Sequence, residues 1–266
     1  MQVIHNITIG SDPEFLVFNP KTNLCYPGLE FTKGTKESPE DIGGGFFIQK
    51  DNALLEGNIP ICRTVDEYLY SMNYLIGYFS FLVAPKGLQI IHEDSGEYAP
   101  KHLKSKEVNI FGCDPYENVW TGEVCRAPSL SHTNYRTCGN HLHLGYDKTT
   151  DRVSREEINK MLVKAFDMFV TLPSYLIHFD PRRASAYGGL GNYREKVYGV
   201  ECRSLGSYFT HPERLVWVWN NTLRAIDFAG DTDNWERLES LKVLEDLSFE
   251  SISNYLKEFN KVLLPF

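Results

Sequence analysis

The sequence predicts a mixed domain of helices packed over strands. Three observations predict it: capping boxes that open amphipathic helices, strand-like runs between those helices, and polar residues paired two apart along the runs. The 266 residues, 42% hydrophobic and 13% aromatic, are enough to bury a sizeable core. No internal repeat, low-complexity tract or break in composition marks a boundary, so one domain spanning residues 1–266 is expected.

Residues 7–18 and 53–61 read as the first two strands. Thr64 with Glu67 then forms a capping box, and Val65, Leu69, Met72, Leu75, Ile76, Phe79 and Val83 make one apolar stripe behind it. A core-facing helix is expected there, ended by Pro85 and Gly87. Residues 88–92 read as a third strand. The stretch 93–136 carries Gly96, Pro100, Gly112, Pro115, Gly122 and Pro128 and reads as a long connection, which in a compact domain is more often functional than idle. A fourth strand, 139–146, precedes a second box of Ser154 with Glu157; Ile158, Met161, Leu162, Ala165, Phe169 and Leu172 follow, and Pro173 should bend this helix. The fifth strand is 198–204. Thr210 with Glu213 makes a third box before Leu215, Val218, Trp219, Leu223 and Ile226, and that helix stops near Gly230. Two further helical patterns fill the C-terminal end.

The 35 acidic residues outnumber the 27 basic ones, and no run of Lys and Arg is interleaved with aromatics, so a nucleic-acid partner lacks its electrostatic basis. Residues 1–10 show no basic start followed by an apolar core, and the most apolar stretch, 75–84, is short and holds Gly77 and Ser80. A soluble, cytoplasmic protein with no membrane partner is expected. Cys25, Cys62, Cys113, Cys125, Cys138 and Cys202 include no C-x-x-C pair, which argues against a zinc knuckle or a disulfide scaffold and for reduced, buried thiols.

The chemistry concentrates on the strands. Residues two apart on a strand share a face, so Asp12 and Glu14 present two carboxylates side by side and call for a cation; two solvated acids on a turn would read the same in so short a motif. His141 and His143 repeat the geometry with imidazoles, suiting either metal ligands or histidines bonded within a core. Glu201 and Arg203 form a third pair, which an ordinary surface ion pair would also explain. Glu56 stands among apolar residues, where an uncompensated carboxylate is costly, and therefore wants a metal or an arginine. Upstream of Glu201, Arg182, Arg183, Gly188, Gly189, Gly191, Arg194 and Lys196 join flexible backbone to fixed positive charge, as polyphosphate binding requires. Hard oxygen ligands with one or two imidazoles favour Mg²⁺ or Mn²⁺ over zinc.

Five segments in this order, GSDPEF at 10–15, DNALLEGNIP at 51–60, FGCDPYENVW at 111–120, RTCGNHLHLGY at 136–146 and YREKVYGVECRSLGSYF at 193–209, resemble the phage-type COOH-NH2 ligases of the type-2 class. These are relatives of glutamine synthetase and glutamate-cysteine ligase. The resemblance implies the α+β class, with a curved, mainly antiparallel sheet flanked by helices as in the glutamine synthetase catalytic domain. It also implies ATP and Mg²⁺ or Mn²⁺ on the concave face, and ATP-dependent joining of a carboxylate to an amine through an acyl phosphate. The partners would be small-molecule or peptide substrates, inside a bacterial host cell if the chain is phage-encoded. By the same resemblance Asp12, Glu14, Glu56, His141 and Glu201 would bind metal. Arg203 would contact phosphate or the acyl phosphate, and Arg194 the nucleotide phosphates, both with Glu56 in catalytic roles. Lys196 and Tyr198 join Arg194 and Arg203 as nucleotide-binding candidates, and His143 and Asn58 match by position only.

Two departures qualify the match. The first acid is Asp12 where glutamine synthetase has Glu, which shortens the ligand, and no ammonium site is identifiable, so an amino acid or peptide amine is the expected nucleophile. Asp114, Tyr116, Asn118 and Trp120 in the long connection are either substrate contacts or packing residues. A metal-dependent hydrolase using Asp12, His141, His143 and Glu201, and a non-catalytic binding protein on the same fold, are the rival readings.

Overall fold

The computed structural model describes residues 1–109, 115–126 and 132–263. Strands β1 (Ile4–Asn19), β2 (Leu24–Tyr26), β3 (Glu40–Gly43), β4 (Phe46–Asp51) and β5 (Leu54–Asn58) precede helix α1 (Val65–Val83). β6 (Gln89–Ile91), β7 (Ser95–Glu97), β8 (Tyr116–Asn118), β9 (Val124–Cys125), β10 (Tyr135–Thr137) and β11 (Asn140–Lys148) follow, then α2 (Arg155–Phe166), α3 (Leu172–Tyr175) and α4 (Pro181–Ala186). β12 (Asn192–Lys196) and β13 (Gly199–Cys202) lead to α5 (Leu215–Gly230), α6 (Trp235–Ser240) and α7 (Phe249–Leu263).

The large sheet runs β3-β4-β5-β1-β11-β13-β12-β8-β9, with β2 and β6 paired to the C-terminal end of β1. The pairings between these named strands are antiparallel, and the path is open. The fold is thus α+β with a large antiparallel sheet flanked by helices. One face of the sheet is apolar: Phe15, Ile48, Leu55, Leu142, Leu144, Tyr193, Val200 and Cys202 pack into a single core with Met72, Leu75 and Phe79 of α1, Leu162 and Phe166 of α2 and Val218 and Trp219 of α5. Since side chains alternate along a strand, this burial turns the intervening residues onto the opposite face, and those are the polar pairs.

Two of the expected capping boxes form. Thr64 accepts from the Glu67 N–H and Ser154 from that of Glu157, each glutamate reaching back to its cap. The third does not form: Pro212 opens a 3₁₀ turn before α5, capped by His211, while the buried Thr210 hydroxyl donates to the Ser207 carbonyl. The bend expected at Pro173 is taken up before it. Asp167–Thr171 widens into a π-helical turn in which the Leu172 N–H reaches the Asp167 carbonyl, a register that accommodates a proline without an N–H. The long connection is not bare loop. It contains β7 and β10, which pair with each other, and the β8–β9 hairpin that extends the main sheet through β12.

Candidate active site

Cross-strand register assembles the site. Asp12 lies opposite His141 across β1 and β11, His143 opposite Glu201 across β11 and β13, and Arg194 opposite Glu201 across β12 and β13. On the other flank of β1, Glu14 lies opposite Glu56, and Glu56 opposite Gln49 on β4. Directly opposed residues of antiparallel strands share a face, so four separated segments deliver their polar side chains to one surface. They line a cavity of about 290 Å³ together with Asp51, Asn58, Lys36, Lys50, Lys196 and Arg203.

The cavity has two chemical halves. In one, Glu201 is 1% exposed and is surrounded by cations: Arg203 Nη1 donates to its Oε1, Arg194 Nη1 lies 3.4 Å from the same oxygen, and Lys196 Nζ lies 2.7 Å from Oε2. Burial disfavours the charged carboxylate, but Arg203, with the histidines and Arg194 behind it, outweighs that and holds Glu201 well below the usual carboxylate range. In the other half Glu14, Asp51 and Glu56 stand together. Burial pushes the Glu14 carboxyl up to about 8, with Asp51 adding repulsion and Arg183 and Tyr187 opposing it. Burial, then Asp12, Asp51 and Glu14, pushes Glu56 well above its ordinary range, and burial also raises Asp51. Glu14 Oε2 accepts from the Gly139 N–H at 2.7 Å and the Tyr187 hydroxyl at 2.5 Å, and Glu56 Oε2 from Gln49 Nε2 at 2.9 Å. Carboxylates crowded this way carry an electrostatic cost that a divalent cation would remove.

The histidines bridge the halves. His143 Nε2 lies 3.0 Å from Asp12 Oδ1, and its Nδ1 meets the Tyr198 hydroxyl. Burial lowers the basicity of His143, yet the Asp12 charge outweighs it and the net shift is upward. His141 Nδ1 lies 3.6 Å from the same Asp12 oxygen and 3.9 Å from Glu201 Oε1, but burial, reinforced by Arg203, keeps that ring neutral. Asp12, His143 and Glu201 each bring one ligand atom within 4.8 Å of the other two, and His141 Nε2 is buried without a hydrogen-bond partner among the described residues. Two oxygens and an imidazole at that spacing fit one Mg²⁺- or Mn²⁺-type ion.

Every metal-ligand candidate named from the sequence therefore lines this cavity, as do His143, Asn58, Arg194, Lys196 and Arg203. Tyr198 does not: it is 41% exposed and faces an adjoining apolar cavity of about 250 Å³, which also borders His143 and Asn58. Arg182 and Arg183 do not line the site. Arg182 lies near Glu97 and Asp180, and Arg183 is buried against the Tyr187 ring, where Gly188 packs directly against it. Gly191, at φ +75°, lies against Trp120, so the glycines of this run serve packing and not a phosphate cradle. Tyr116, Asn118 and Trp120 also stay outside the cavity. Asn118 Nδ2 donates to Leu190 O and Asn192 Oδ1, Trp120 Nε1 donates to Asp167, and the Tyr116 ring lies 5.9 Å from the Arg203 guanidinium. Asp114 lies outside the described residues. Asp51, Gln49, Tyr187 and Lys36 were not singled out from sequence; the alternation in FFIQKD was the signal for the first two.

Residues 116–222, less than half of the chain, match the family model described as Phage phiEco32-like COOH.NH2 ligase-type 2. The match covers His141, His143, Arg194, Lys196, Glu201 and Arg203, but not Asp12, Glu14 or Glu56. No curated protein matches by sequence. Among solved structures, "Apo GmaS without ligand" is 11% identical at a TM-score of 0.45, over 96% of this chain and 63% of that one. "GmaS/ADP complex-Conformation 1" is 11% identical at 0.46, over 97% and 64%. "Crystal structure of novel glutamine synthase homolog" is 13% identical at 0.40, over 96% and 62%. The chain thus spans less than two thirds of the length of these structures.

Proposed function

Because residues 116–222 match a carboxylate–amine ligase family and the cavity sets five carboxylates and two imidazoles against Arg194, Lys196 and Arg203, we propose that this chain joins a carboxylate to an amine at the expense of ATP, with Mg²⁺ or Mn²⁺. The observation that carries the reading is the convergence of three cations on buried Glu201 beside the Asp12–His143 pair. A hydrolase would use the acids and histidines but would give these cations no work. Phosphoryl transfer needs both, since negative charge on the transferred group must be neutralised from several sides.

In this reading Asp12, His143 and Glu201 would hold one cation, and Glu14 with Glu56 and Asp51 would supply oxygens for another; bound ions would neutralise phosphate charge and align the reacting oxygens. Arg194 and Lys196, at the open side, take phosphate oxygens of the nucleotide. Arg203, buried and oriented by Glu201, faces the group in transfer. A substrate carboxylate oxygen attacks the γ-phosphorus, the bond to the β–γ bridging oxygen breaks, and ADP leaves. The amine then attacks the acyl carbon, and phosphate and a proton are released. Buried walls exclude the water that would otherwise consume the acyl phosphate.

In this reading the base would lie in the apolar cavity. Beyond His143 the sheet surface drops to Gly10, opposite His143, and Gly145, opposite Thr8, between Ile59 and Ile61 on one side and Tyr198 on the other. A floor without large side chains between apolar walls suits a flat ring, with its phosphates directed toward His143 and the cations. The test is ADP release from ATP with Mn²⁺ across a panel of amino acids and peptides. Release should require both the metal and a carboxylate, and a panel without ADP, together with calorimetry showing no ATP binding, sinks the proposal.

A further inference from the structure

Arg183 is 2% exposed, yet the hydrogen bonds of its guanidinium go to backbone carbonyls, from Nη2 to Arg203 O at 2.7 Å and to Leu205 O at 3.0 Å. Its Nε and Nη1 are buried without a hydrogen-bond partner among the described residues. Burial penalises this cation, and Tyr187, Glu14 and Asp94 offset the penalty, so the charge is kept and the fold keeps room for it. A Cβ on Gly139 would fall 2.2 Å from Nη2, and one on Gly188 2.7 Å from Cζ, so neither position accepts a side chain while the guanidinium stays where it is.

What the guanidinium touches are the supports of the site. The two carbonyls it holds belong to the segment where the chain leaves β13, and so fix the backbone that carries Arg203. Its Cζ lies 4.8 Å from the centre of the Tyr187 ring, and the Arg203 guanidinium lies 5.4 Å from the same ring. The Tyr187 hydroxyl and the Gly139 N–H are the two donors to Glu14 Oε2, at 2.5 and 2.7 Å. Arg183 thus packs against both groups that orient Glu14 and bonds the strand end that presents Arg203.

We propose that Arg183 is a positioning residue: through Tyr187 and Gly139 it sets the Glu14 carboxylate, and through two backbone carbonyls it sets Arg203, so that cation and phosphate contacts are made from one preorganised frame. The inference rests on the reading of Glu14 as a cation ligand. Outer supports of this kind govern ligand orientation, and their loss typically weakens metal binding ~10- to 100-fold.

The experiment is Mn²⁺ binding to the nucleotide-free protein by calorimetry, with far-UV melting alongside, for Arg183→Lys, Tyr187→Phe and the double variant. Lysine keeps the charge but cannot stack on Tyr187 and hold both carbonyls. Each single change should weaken Mn²⁺ binding about tenfold, and the double change should cost clearly less than the two losses combined, because Tyr187 is one of the routes by which Arg183 reaches Glu14. Additive losses overturn the proposal, as does an Arg183→Lys protein that melts and binds Mn²⁺ like the parent. Should Arg183→Lys not fold, the nearly isosteric Tyr187→Phe carries the test, and unchanged Mn²⁺ affinity overturns it. A parent protein that binds no Mn²⁺ instead overturns the metal reading itself, a separate outcome.

Discussion

His143 Nε2 lies 3.0 Å from Asp12 Oδ1, closer than the Nδ1 of His141, which sits directly across the strand pair at 3.6 Å. Register alone would pair Asp12 with His141, but the longer diagonal reach of the imidazole brings His143 to the carboxylate. His143, not His141, completes the three-residue cluster with Glu201. His143→Ala should therefore weaken Mn²⁺ binding by at least about tenfold, and His141→Ala by less. Calorimetric titration of both variants checks this, and the reverse order would reassign the ligand.

Glu201 is a hub for Arg203, Arg194 and Lys196, with Arg203 itself only 2% exposed. Removing the carboxylate charge leaves a buried guanidinium without its counter-ion, which typically costs ~3–5 kcal/mol. Glu201→Gln should lower the denaturation midpoint accordingly and remove ADP release. Arg194→Gln, at the open side of the same carboxylate, should cost less than about 1 kcal/mol of stability while raising the KM for ATP. Equal destabilisation by the two substitutions would contradict the burial difference.

The paired motifs were legible in sequence because strand alternation is local: Asp12 with Glu14, His141 with His143 and Glu201 with Arg203 each share a face whatever the strand's neighbours. What pairs with what was not. Gln49 and Asp51 join the site only because β4 lies beside β5, and Tyr187 and Arg183 reach Glu14 and the Arg203 backbone only because α4 and the turn after it fold onto the chain that leaves β13, associations between segments far apart in the chain. The glycines near residue 190 misled for a related reason. A glycine that admits a buried guanidinium and one that admits a phosphate look alike until the neighbouring segment is in place. The third capping box failed on a local detail, Pro212, which diverts the helix start into a 3₁₀ turn.

Crowded acids also set a pH dependence. Glu14 is 2% exposed, and its carboxyl is raised from 4.5 to about 8 by burial and then by Asp51. A raised acid binds its proton more tightly folded than unfolded, so its contribution to stability is full below 4.5 and is lost as pH climbs through about 8. In chelator, the urea midpoint should fall across that window. Glu14→Gln should flatten the fall, and Mn²⁺ should restore stability at the alkaline end by binding the folded state alone. A Glu14→Gln profile as steep as the parent's would place the titration elsewhere.

Trp120 offers the counter-test, a residue of a recognised motif that serves packing. Its Nε1 donates at 2.7 Å to Oδ2 of fully buried Asp167, joining the β8–β9 hairpin to the π-helical turn after α2. Burial pushes the Asp167 carboxyl up to about 7, and the Trp120 bond is the first of several, with Thr171, Gly191 and Ser204, that oppose it. Trp120→Phe keeps most of the ring but removes that donor, which should cost ~1–3 kcal/mol. The loss should be larger at pH 8 than at pH 5.5. As pH rises through about 7 the folded carboxyl becomes charged, and the charged form depends most on the missing bond. Trp120 does not line the cavity, so Mn²⁺ affinity should stay at the parent value in every folded Trp120→Phe sample. Weakened Mn²⁺ binding without a change in denaturation midpoint would return this segment to the site.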